Sequence, residues 1–86
     1  MNISEFRKWL DANTTYTTAT KSNVVSRLKR ANMILPVETK NVYLFNLSQE
    51  KEFQGLTVSV KSQVRRAVKL YLQYIEYKDG ITNESE

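Results

Sequence analysis

Apolar residues in this chain recur mostly at three- and four-residue steps, the spacing that lines one face of a helix. Ile3, Phe6, Trp9 and Leu10 make the first such face, opposite Glu5, Arg7, Lys8 and Asp11, and predict a helix over about residues 3–12. Asn2 is placed to cap it, with Glu5 in the position of a capping-box partner. The run Asn13-Thr14-Thr15-Tyr16-Thr17-Thr18 is rich in side chains that bond their own backbone, so it reads as a loop with Thr17 or Thr18 opening the next helix. That second helix is expected to reach about Asn32, with Val24, Val25, Leu28 and Ala31 inward and Lys21, Arg27, Lys29 and Arg30 largely outward. Met33, Ile34 and Leu35 carry the apolar surface on to Pro36, which disfavours helical dihedrals at Leu35 and sets a boundary there.

From Thr39 to Leu47 the apolar residues Val42, Leu44, Phe45 and Leu47 are too dense for a clean amphipathic pattern; a buried helical segment is favoured over a strand. A brief helical turn from near Ser48 ends at Gly55, and Thr57 or Ser59 opens the longest helix. There Val60, Val64, Ala67, Val68, Tyr71 and Ile75 form the clearest stripe in the chain, flanked by Leu72 and Tyr74. Gly80 is the expected C′ residue, and the polar residues after it have nothing to bury. The expectation is an all-α, compact bundle of four to five helices with a long C-terminal helix: one domain over residues 1–80 and a disordered tail over 81–86. Phe6, Trp9, Phe45, Phe53 and Tyr71 are expected in the core, and Tyr74 and Tyr77 in more open positions.

Composition narrows the chemistry. The 86 residues are 41% apolar and 26% charged, a globular balance that argues against disorder throughout. With no histidine and no cysteine, the commonest general base, zinc-finger ligation and any disulfide framework are missing, so no catalytic residue, metal site or cofactor is expected. No paired carboxylates sit on an apolar wall to suggest a hydrolase. The N-terminus lacks the basic-then-apolar pattern of a signal peptide, and no window approaches the roughly 20 apolar residues of a membrane span. A cytoplasmic protein with no membrane partner is the expectation.

The net charge of +4 is unevenly spread. Residues 17–35 hold Lys21, Arg27, Lys29 and Arg30 with no acid, and residues 57–75 hold Lys61, Arg65, Arg66 and Lys69 with no acid. Lys61, Arg65 and Lys69 are spaced by four, which lines three cations along one row of the last helix despite their mutual repulsion. Such a row suits an anionic surface, most commonly a phosphate backbone, with Ser22, Asn23, Ser26, Ser62 and Gln63 as polar neighbours. Two other readings stand beside it: a merely solvated basic face, and a surface that docks an acidic protein or a second copy of the chain.

The stretches Thr20-Lys21-Ser22-Asn23-Val24-Val25-Ser26-Arg27-Leu28-Lys29-Arg30 and Ser59-Val60-Lys61-Ser62-Gln63-Val64-Arg65-Arg66-Ala67-Val68-Lys69-Leu70-Tyr71-Leu72-Gln73-Tyr74 resemble the N-terminal SAM-like, core-binding domain of phage integrases and other tyrosine recombinases. Related helical units also precede nuclease domains in some bacterial defence proteins. The resemblance covers most of the chain in helix order and spacing. It implies a non-enzymatic helical clamp that grips duplex DNA through basic residues of its second and last helices. Lys21, Arg27, Lys29, Arg30, Lys61, Arg65, Arg66 and Lys69 are then the nucleic-acid-binding positions. The catalytic domain that supplies the recombinase tyrosine has no counterpart in this sequence, and half a clamp should bind weakly.

Overall fold

The computed structural model describes residues 1–38 and 42–84, with side chains described through residue 79. The helices are α1 (Ile3–Asn13), α2 (Thr18–Ile34), α3 (Tyr43–Ser48), α4 (Lys51–Gln54) and α5 (Val58–Glu84). The described residues contain no strand, so the all-α architecture with a long last helix stands as expected.

Local signals explain most of the boundaries. The Asn2 side chain accepts from the Glu5 N–H at 3.1 Å and starts α1. The Glu5 carboxylate does not return to the cap as a capping box would; it accepts instead from the Tyr74 hydroxyl at 3.1 Å. Thr14 closes α1 twice over, its N–H and its hydroxyl both donating to the Leu10 carbonyl. Thr17 then caps α2 by accepting from the Thr20 N–H at 3.2 Å. α2 runs two residues past the expected Asn32 and stops at Leu35, whose extended dihedrals (φ −148°, ψ 118°) are those a following proline favours. Thr57 accepts from the Val60 N–H at 3.2 Å where α5 begins.

α2 and α5 pack against each other along much of their length, with α1 against both and α4 against α2. The buried side chains form one cluster to which every helix contributes: Phe6 and Leu10, then Val24, Val25, Leu28 and Ala31, then Tyr43 and Leu47, then Phe53, and finally Val64, Ala67, Val68, Tyr71 and Tyr74. At the α1–α5 end, Phe6 meets Tyr71 edge-on with ring centroids 5.4 Å apart, and Tyr74 and Trp9 pack around the same ring. Apart from the hydroxyls of Tyr43, Tyr71 and Tyr74 and the Trp9 indole N–H, the described residues bury no charged or polar side-chain group.

Four expectations are corrected. Phe45 is 65% exposed, because α3 spans six residues and turns only Tyr43 and Leu47, four apart, fully into the core. Met33 is 84% exposed, although its neighbours Ile34 and Leu35 pack against the core as expected. Tyr74, expected in the open, is buried because α1 lies over it, whereas Tyr77 one turn on is 55% exposed. The last helix does not stop at Gly80 but continues to Glu84, so residues 81–84 of the expected disordered tail lie on α5, and 85–86 fall outside the described residues. Part of the 39–47 segment, residues 39–41, also lies outside them.

Tyr43 ties the end of α2 to α3: its hydroxyl donates to the Leu35 carbonyl at 2.7 Å and lies 3.4 Å from that of Ala31. Burial pushes its phenol up to about 12, and burial raises Tyr71 as well. Tyr74 is raised by burial first, then by its hydrogen bond to Glu5 and the charge of that carboxylate. A raised phenol means the folded chain holds its proton where the unfolded chain has released it. The associated stability is whole below the unfolded value of 10 and is lost as pH climbs towards 12. Urea melts across this range should show falling stability, and Tyr43→Phe should flatten the fall while costing about 1 kcal/mol at neutral pH. Stability that holds level through this range contradicts the burial of these phenols.

Candidate nucleic-acid interface

Because α2 and α5 are neighbours, the two basic stretches lie on adjacent helices. Their cations do not all share one face. Successive helical residues turn about 100°, so Arg65 and Arg66 leave α5 in different directions, as do Lys29 and Arg30 on α2.

One group converges. Arg27 of α2 and Arg66 of α5 line the same cleft of about 260 Å³, with Thr20, Asn23, Val24 and Gln63. Arg27 donates from Nε to Gln63 Oε1 at 2.8 Å, bridging the two helices. Arg66 lies over the Tyr16 ring, its guanidinium carbon 5.2 Å from the centroid, and donates from Nη2 to the Tyr16 hydroxyl. Each guanidinium is thus oriented by a neutral oxygen, and each keeps further N–H donors for another ligand.

The other candidate cations are arranged differently. Lys29 and Arg30, both exposed, border a second depression of about 440 Å³ with Ser26, Arg27, Met33, Ile34 and the carboxylate-bearing Glu52. Arg65 lies over Phe53 of α4, 5.3 Å from its centroid, so its stem and head cover a core ring as well as facing water. Lys69 is exposed and Lys61 half-buried on the same row. Lys21 departs from the outward placement read from the sequence: its side chain is only 17% exposed and its ammonium meets the Asp11 carboxylate, a pairing that leaves it little charge to offer a phosphate. Among the described residues it is the only one of the eight within ion-pair reach of a carboxylate; the other such pair joins Lys78 to Glu5. Of the polar neighbours, Gln63 and Asn23 join the cleft, while Ser22 is taken by the Arg7 guanidinium at 3.0 Å.

Tyr16 went unrecognised in the sequence, where it stands in a threonine-rich loop fifty positions from the arginine it holds. No local spacing rule could have joined them. Among the described residues no group of acids could hold a metal ion, and no helix is long and apolar enough to cross a membrane. No protein family, curated protein or solved structure matches this chain.

Proposed function

We propose that this chain is a non-enzymatic DNA-binding helical module that contacts phosphates through α2 and α5. The observation that carries this reading is the meeting of Arg27 and Arg66, from two separate basic stretches, in one cleft whose lining holds no carboxylate. Arginine forks match phosphate oxygens in geometry as well as charge, and exposed Lys29, Arg30 and Lys69 add attraction around them. The likeness in helix order to integrase core-binding domains supports the same role, that of an accessory or N-terminal module in DNA recombination, working in the cytoplasm where DNA is reached. Phosphate contacts would position the module, and sequence selection would need base-edge contacts beyond them.

A second reading, an adaptor that docks an acidic protein or a second copy, draws on the exposed apolar side chains Met33, Val42, Phe45, Val58 and Tyr77. Fluorescence anisotropy of a labelled duplex, with polyglutamate as competitor, separates the two. The proposed function predicts binding at about 50 mM salt that polyglutamate displaces poorly at equal charge. Absence of duplex binding at that salt removes it.

A further inference from the structure

The Arg27–Arg66 cleft has the features of a built anion seat. Its two guanidiniums come from different helices and are already held in place, one by Gln63 and one by the Tyr16 ring and hydroxyl, before any ligand arrives. A ligand would meet two side chains already engaged within the folded chain, so less side-chain ordering is left to oppose its binding. Gln63 and Tyr16 present neutral oxygens, so the positive charge of both arginines is uncancelled at the cleft. The rest of the lining, Thr20 and Asn23 on α2 beside Val24, supplies a hydroxyl and a carboxamide, groups that can donate to an oxyanion. Two forked donors facing one space suit a tetrahedral oxyanion with several equivalent acceptor oxygens better than a planar carboxylate, which a single arginine already satisfies.

We infer that this cleft seats one phosphate group between Arg27 and Arg66, with Asn23 and Thr20 as neutral donors. The inference rests on the nucleic-acid reading only for the source of the phosphate; a free phosphate ester offers the same chemistry. On a nucleic acid the seat would fix the register of one backbone phosphate, while the outer cations Lys29, Arg30 and Lys69 contribute diffuse attraction.

The test follows the arginine Nε–Hε and the Asn23 and Gln63 side-chain signals of the full, isotope-labelled chain by NMR, in separate titrations with inorganic phosphate and with a short duplex. Sodium chloride at matched ionic strength is the reference. The seat predicts saturable shifts of Arg27, Arg66, Asn23 and Gln63 with phosphate, reproduced by the duplex and absent with chloride. Arg27→Gln and Arg66→Gln should each weaken phosphate binding roughly tenfold, with circular dichroism confirming that the variants fold. Lys8→Ala, which removes an exposed cation of α1 outside the cleft, should leave it unchanged. Shifts with phosphate but not with duplex uphold the seat and sink its nucleic-acid source. Duplex binding seen by anisotropy with these signals unmoved in both titrations overturns the seat and spares the DNA reading. Chloride producing the same shifts as phosphate overturns the seat as well.

Discussion

Phe6→Ala should destabilise the chain by about 3–5 kcal/mol, the largest effect expected of any single truncation here. Phe6 has no exposed surface, and its ring touches those of Trp9, Tyr71 and Tyr74. Removing it deletes the contact through which α1 is fastened to the far half of α5 and leaves a cavity that three bulky rings cannot easily collapse into. For a domain whose total stability is on the order of 5–15 kcal/mol, such a loss takes up a large share and should leave a substantial unfolded population at 37 °C. Urea melts followed by circular dichroism measure this directly. A loss under about 1 kcal/mol would mean that α1 does not dock on the aromatic cluster.

The second large effect is on binding rather than folding. Arg30→Ala combined with Lys69→Ala should weaken duplex affinity roughly tenfold at low salt and reduce the steepness of its salt dependence by about two phosphate contacts, while the thermal midpoint stays nearly constant. Both side chains are exposed and neither stands within ion-pair reach of a described carboxylate. Arg65 is a poorer choice for this purpose, since its guanidinium covers Phe53 and its removal would disturb packing at α4. If the double variant binds as tightly as the parent, with the same salt dependence, the outer cations of α2 and α5 are a solvated face and nothing more.

What could be read from the sequence follows from the range of the signals involved. The steps joining Val64, Ala67, Val68 and Tyr71, and the caps at Asn2, Thr17 and Thr57, are local patterns, and helices α1, α2 and α5 begin where those patterns place them. In α3 the pattern failed: apolar residues crowd every side of a six-residue helix, so nothing local singles out Tyr43 and Leu47 as inward and Phe45 as outward. Tyr74 was misplaced for the opposite reason, its burial being supplied by a helix some seventy positions earlier. Candidate site residues divide the same way. Charge segregation showed which helices carry the cations; that Lys21 is spent on Asp11, that Arg27 reaches Gln63 and that Tyr16 holds Arg66 are tertiary facts with no trace in spacing. Gly80 carried a local stop signal that the helix overrides.

The proposed function has cations of α2 and α5 engage a phosphate backbone together, and the salt dependence of duplex affinity reads that engagement without an intermediate step. Anisotropy titrations from about 50 to 200 mM salt should give a logarithmic slope of about −3 or steeper, the signature of several phosphates neutralised at once. A slope near zero, or no binding at the lowest salt, would contradict the claim.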